Sequence, residues 1–165
     1  MKLPYVVAPE TDLSHFTKIQ PRFPNWEKSF VSGPNSPLYD VEHFIHDVRK
    51  TLVLTRVKFL EKALGPPGNV HGGATAGLLD ELMGVAVWHQ GEPCVTQKLE
   101  VHYGILLPLD EEAMIYTEIV SQATKTLEVH STIYGTNGQP YVTSQGIFHR
   151  LSAEQLAKLK SKFTP

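Results

Sequence analysis

Apolar and polar positions follow two rhythms along this chain, one of period two and one of helical period. Residues 51–60 are rich in β-branched and aromatic side chains and read as a strand. The rigid turn Gly65-Pro66-Pro67-Gly68-Asn69 ends it. A helix of about four turns follows, starting at a glycine pair and running to Trp88 or His89. Leu78, Leu79, Leu82, Met83, Val85, Ala86 and Val87 make it apolar nearly all round, the pattern of a helix enclosed by other structure. Gly77 and Gly84 lie seven residues apart on nearly one face and leave room for another backbone. Residues 95–103 then alternate, with Val95, Leu99, Val101 and Tyr103 on one face and Thr96, Lys98, Glu100 and His102 on the other. Further strands are expected at 115–120 and at 126–135, the latter with Leu127, Val129, Ser131 and Ile133 on one face. Asn137-Gly138 is a turn signal, and 141–151 returns antiparallel. Ser152 and Gln155 have capping-box spacing and open a short amphipathic helix carrying Leu156 and Leu159.

The order is strand, one long helix, antiparallel meander and short helix. This predicts an α+β fold in which an antiparallel sheet wraps one central helix. Six of the twelve prolines fall in the first 40 residues, so a long regular element is not expected before Leu38. Phe16, Phe23, Trp26 and Phe30 suit an arm packed on the body. The expected division is therefore an irregular arm, 1–40, and a folded domain, 41–165.

Composition narrows the function classes. At 165 residues, with 41% hydrophobic and 19% charged residues, the chain fits a single globular domain with a real core. The net charge is −2 and the cations are scattered, which argues against a nucleic-acid surface. Cys94 is the single cysteine, so no internal disulfide forms. It reads as a small buried apolar residue. The first residues lack a signal-like apolar run and no stretch is long enough to span a membrane, so a cytoplasmic location is expected.

His71-Gly72-Gly73 and Asp80 carry the chemistry. Two glycines after a histidine leave the backbone bare where the helix begins, and unpaired N–H groups there favour negative charge. Asp80 stands in a segment otherwise built for burial, where an ionised carboxylate is costly without partners. Oxyanion donors combined with one buried acid point to acyl-group hydrolysis. His43 and His46 have a spacing that suits a metal, but no third ligand follows, so no metal is expected. His102 and His130 fall on strand faces. No Gly-x-Ser-x-Gly elbow is present, which disfavours a serine triad.

Taken together, these residues resemble the hotdog-fold thioesterases of the His-Gly-Gly branch, over about residues 51–151. Gly65-Pro66-Pro67-Gly68 leads into His71-Gly72-Gly73-Ala74-Thr75-Ala76, with Asp80 nine residues after the histidine at the branch's catalytic acid. Thr96 stands at the family's polar Ser/Thr position, and Ser144-Gln145-Gly146-Ile147-Phe148 is similar to its closing strand. The resemblance implies hydrolysis of an acyl thioester, carried by coenzyme A or an acyl-carrier protein, with no cofactor beyond the coenzyme A of the substrate. Asp80 would act as general base or nucleophile, and the Gly73 amide, or that of Gly72, would hold the oxyanion. Thr96 would hold the attacking water or orient Asp80, and His71 would order the loop and the substrate carbonyl. Glu81 and Lys98 join Gly72 as candidate substrate contacts. Arg56, Lys58 and Arg150 are further candidates for coenzyme A phosphates, and Trp26, Phe30, Trp88 and Tyr103 for an acyl site. Seven helical residues separate Gly73 from Asp80 by about 10 Å. One chain's aspartate cannot then serve a carbonyl at its own Gly73, so a homodimer or dimer of dimers with composite sites is expected. The same fold also hosts dehydratases, isomerases and non-catalytic acyl-binding modules, which remain alternatives.

Overall fold

The computed structural model describes residues 2–10 and 12–162. One seven-stranded antiparallel sheet is built from β1 (Phe16–Ile19), β2 (Tyr39–His46), β3 (Leu52–Phe59), β4 (Cys94–Tyr103), β5 (Glu112–Gln122), β6 (Thr126–Tyr134) and β7 (Pro140–Arg150). Their order across the sheet is β1-β2-β3-β5-β6-β7-β4. The long helix α1 (Gly72–His89) connects β3 to the far edge strand β4, and α2 (Ala153–Ser161) closes the described chain. The expected α+β arrangement is therefore present.

The core explains the arrangement. Leu78, Leu79 and Leu82 of α1 pack with Val57, Ile115, Ile133 and Val142 of the sheet. Further along the helix, Met83, Ala86 and Val87 pack with Val53, Leu127, Val129 and Phe148. Each large aliphatic side chain buried this way stabilises the fold by roughly 1.5–3 kcal/mol. Gly146 lets the helix approach closely, since a Cβ there would lie 2.5 Å from the sulfur of Met83. The expected face of β6 (Leu127, Val129, Ser131, Ile133) is buried, and its serine is paired with Thr117 at 2.7 Å. Ser152 and Gln155 form the expected capping box at the start of α2.

The opposite face of the sheet carries its own cluster of Leu52, Leu54, Tyr116 and Tyr134, and Val7 of the N-terminal segment covers it. Val7 is tied down at both backbone groups: its N–H donates to Thr132 Oγ1 (2.8 Å), and its carbonyl accepts from the Tyr134 hydroxyl (2.9 Å). The arm is less irregular than its prolines imply. β1 lies within it and pairs with β2, and the expected boundary at residue 40 falls inside β2. The alternation of Tyr39, Val41, His43 and Ile45 was the available signal for β2. No described helix is long and apolar enough to cross a membrane.

Candidate active site

The start of α1 is fixed by its own sequence. His71 is the N-cap, with extended backbone (φ −65°, ψ 132°), and its Nδ1 accepts the Gly73 N–H at 2.9 Å. A ring nitrogen that accepts carries no proton, which leaves the His71 proton on Nε2. Gly65 makes room for this turn, since a Cβ there would lie 2.6 Å from the His71 Cα. The carbonyls of the first helical turn are held too. Gly72 O accepts from Tyr103 Oη at 2.7 Å, and Ala74 O accepts from Tyr39 Oη at 2.5 Å. Burial, with the nearby Glu81 charge, pushes the Tyr39 phenol pKa up and keeps it a donor.

α1 is not enclosed on all sides. Residues 73, 76, 77, 80, 81, 84 and 88 form a stripe that is exposed or half-buried, whereas 78, 79, 82, 83 and 85–87 are buried. Asp80 lies on that stripe, so its surroundings are half-open and not the deeply buried setting expected from its apolar neighbours. Its Oδ1 accepts from Thr96 Oγ1 at 2.8 Å. A β-bulge at the start of β4 makes this contact. Thr96 faces Phe148 and Lys98 faces Ile147, so Gln97 is an extra residue and the side-chain alternation reverses there. Thr96 consequently shares the helix-facing side with Leu99 and Val101, instead of opposing them as strict alternation predicts. The bulge re-aims one hydroxyl at the carboxylate.

Asp80 and Thr96 line a cavity of about 300 Å³. Its walls are Gly77, Gly84 and Trp88 of α1, Cys94 and Val95 of β4, Phe148 of β7, and Phe23, Phe30 and Val31 of the arm. Neither helical glycine has an atom within 4 Å of the position a Cβ would take, so both present bare backbone to open space. Burial, with the Glu92 charge adding to it, pushes the Cys94 thiol up to about 12, which keeps it protonated and inert. A polar, half-open end and an apolar remainder suit a ligand with one reactive carbonyl and a hydrocarbon body.

The other expected site residues distribute differently. Glu81 also lines the cavity, but its carboxylate is engaged by the arm, accepting from the Ser29 hydroxyl and the Ser32 N–H. Lys98 points away from the cavity and pairs with Glu100 at 2.9 Å, which raises the pKa of the ammonium. Arg56 pairs with Glu42 and Arg150 with Glu92, and neither they nor Lys58 line the cavity. Of the four aromatic candidates, Phe30 and Trp88 line it. Tyr103 instead borders a second cavity, of about 270 Å³, beside Gly72, and Trp26 borders a third. His43 is buried against Thr55, while His46 caps the turn after β2, accepting from Val48 and Arg49 N–H groups. Among the described residues no cluster of three or more His, Cys, Asp or Glu could hold a metal. Sequence reasoning did not find the wall residues Phe23, Val31 and Phe148. The polar run Ser29, Ser32, Gly33, Ser36 was the available hint of an ordered loop.

Known proteins share this architecture. Residues 67–141, from the turn before α1 to the start of β7, match the thioesterase superfamily model. A human relative, acyl-coenzyme A thioesterase THEM5, is 28% identical over 92 residues, 55% of this chain. That stretch spans 37% of the relative's length. Among solved structures, the thioesterase superfamily protein RHA08564 is 28% identical with a TM-score of 0.68, over 74% of this chain and 60% of that one. Zebrafish thioesterase superfamily member 2 has the same fold at 20% identity and a TM-score of 0.64, over 76% of this chain and 93% of its own. A hypothetical thioesterase protein of Streptococcus pneumoniae, determined with coenzyme A, aligns at 24% identity and a TM-score of 0.62, over 69% of this chain and 86% of its own. By its sheet wrapped on α1 this chain has the hotdog fold of these structures, and over residues 67–141 it is similar to the thioesterase superfamily.

Proposed function

We propose that the protein hydrolyses an acyl thioester, with coenzyme A as the favoured thiol carrier, and that Asp80 is its general base. The observation that carries this reading is the Asp80 carboxylate, held through one oxygen by Thr96 at the polar end of an apolar cavity. With Oδ1 engaged, Oδ2 takes a proton from water as the water oxygen attacks the carbonyl carbon. The resulting oxyanion sits at the N-terminus of an α1 helix, where the Gly73 amide and the helix dipole stabilise it. Collapse breaks the C–S bond, and the thiolate leaves with the proton Asp80 received. His71 caps the Gly73 amide in the free protein, so the carbonyl displaces or shares that bond. The ring's Nε2–H supplies a further donor. Gly72 contributes by having no side chain at the approach to this helix end.

A second support is a spacing. Two structures of the S. pneumoniae protein carry substitutions at an aspartate and at a threonine whose positions differ by 16, the separation of Asp80 and Thr96 here. The separation of Gly73 and Asp80 along one helix, about 10 Å, makes each site composite. The oxyanion donor comes from one chain and the acid from a second copy. The open stripe of α1 and the edge strand β4, paired only to β7 among the described strands, are the surfaces such a dimer would use.

The test is release of free thiol from short, medium, long and aromatic acyl-CoAs by the wild-type protein and by Asp80→Asn. The variant keeps the shape of the side chain and removes the base, so kcat should fall about 10²–10⁴-fold while the fold persists. Undiminished hydrolysis in Asp80→Asn would remove the acid from the mechanism. Silence of the wild type across acyl-CoAs and acyl-carrier proteins would favour an acyl-binding role for the same cavity.

A further inference from the structure

The arm adds something that neither Asp80 nor the matched family segment accounts for. Ser29 Oγ lies 2.9 and 2.7 Å from the two Glu81 carboxylate oxygens, and Ser32 N–H donates to one of them at 2.9 Å. Ser29 Oγ in turn accepts from Val31 N–H at 3.0 Å, and Ser36 Oγ donates to the Phe30 carbonyl at 2.6 Å. Gly33 completes the loop, since a Cβ there would lie 2.4 Å from the Ser29 carbonyl oxygen. Hydrogen bonds to an ionised acceptor are the strong kind, and here they converge on one carboxylate. Their effect is to press Phe30 and Val31 into the wall of the Asp80 cavity. Phe30 keeps 66% of its surface exposed, although an aromatic ring free to move would be expected to bury itself. Glu81 follows Asp80 directly in α1, so it fixes this wall from a point one residue, about 100°, round the helix from the acid.

We propose that the 29–32 loop is the specificity wall of the cavity, that Glu81 is the residue positioning it, and that the acyl group selected is compact: short to medium aliphatic, or aryl. The proposal rests on the reading of this cavity as the acyl site. Its volume of about 300 Å³ stands at the low end of the ~300–1,000 Å³ typical of small-molecule sites. Phe30 and Val31 share the cavity wall with Trp88 and Phe148, so they bound the space open to an acyl chain. Loosening the loop should therefore change which acyl groups fit, and change it in one direction.

The experiment uses the intact protein and non-hydrolysable S-alkyl-CoA thioethers from butyl to palmityl, with binding read from Trp88 fluorescence in a Trp26→Phe background. In that background affinity should rise through the medium chains and fall for the long ones. Glu81→Ala, Ser29→Ala and Phe30→Ala should each strengthen long-chain binding by about tenfold, leaving the short chains within about twofold. Glu81→Gln, which still presents an acceptor oxygen to the loop, should restore the original length profile. An unchanged length ranking in all three alanine variants would overturn the role of the loop while leaving the acyl site standing. Uniform weakening at every length would reduce Glu81 to a structural residue. Absence of binding by any thioether would overturn the acyl-site reading and this proposal with it.

Discussion

At the scale of single residues, position was legible in the sequence and environment was not. His71, Gly73, Asp80 and Thr96 stood out by residue type and spacing. The bulge at Gln97, which decides where Thr96 points, depends on pairing with β7 and leaves no mark in residues 95–103 alone. Asp80 looked buried because its neighbours are apolar, yet helical geometry sends it to the stripe they vacate. His43 shows the converse. Its spacing from His46 said nothing of burial, yet it is 4% exposed, and burial lowers its pKa to about 4. The unfolded chain takes up a proton at this residue below about pH 6.5, whereas the folded chain refuses it until about pH 4. Stability from this group is thus complete above pH 6.5 and lost as the pH falls from 6.5 towards 4, a change of about 3 kcal/mol. Urea midpoints measured across that window should fall in the wild type and fall less steeply in His43→Gln. Parallel slopes would mean that other groups carry the acid sensitivity.

Among elements, those with their own periodicity were readable, and those defined by a partner were not. The helix, the turn at Asn137-Gly138, the last three strands and the capping box were found in place because local sequence specifies each one. β1 exists only because β2 offers it an edge, and the 29–36 loop takes its shape from Glu81 on α1. α1 itself carries a contradiction that points to function. Gly77 and Gly84 weaken a helix interior by up to about 1 kcal/mol each relative to alanine, and nothing in the folded chain packs against either. Gly84→Ala should therefore raise the free energy of unfolding by about 0.5–1 kcal/mol while reducing hydrolysis of the bulkiest accepted acyl-CoA, because the new methyl enters the cavity one turn from Asp80. Denaturation and an acyl-CoA panel on the same preparation decide it. If stability rises without loss of activity, the glycine is not reserving space for substrate.

For the whole molecule, the question is whether one chain can be active at all. Asp80 and Gly73, the proposed acid and oxyanion donor, lie about 10 Å apart along one helix, too far to serve a single carbonyl whose carbon and oxygen are one bond length apart. No side-chain motion closes that gap, since Gly73 would act through its backbone and Asp80 is held by Thr96. A two-fold axis between antiparallel α1 helices, as in the proposed dimer, would close it twice and give two equivalent sites. Such an arrangement has a consequence that no single-chain site shares. Asp80→Asn and Gly73→Val should each be nearly inactive alone, the first for lack of a base and the second because its side chain would crowd His71, which already lies 3.0 Å from a Cβ at that position. Mixed under conditions that allow subunit exchange, the two should regain activity. A heterodimer places both defects in one site and leaves the other with an intact Asp80 and an intact Gly73. With equal amounts and random exchange, half the dimers are heterodimers and each has one working site, so about a quarter of the wild-type rate should return. Titrating one variant into the other, with light scattering to follow the dimer, gives the full curve. Failure to recover, with exchange demonstrated, would place both groups in one chain's site and require a Gly73-independent oxyanion donor near Asp80.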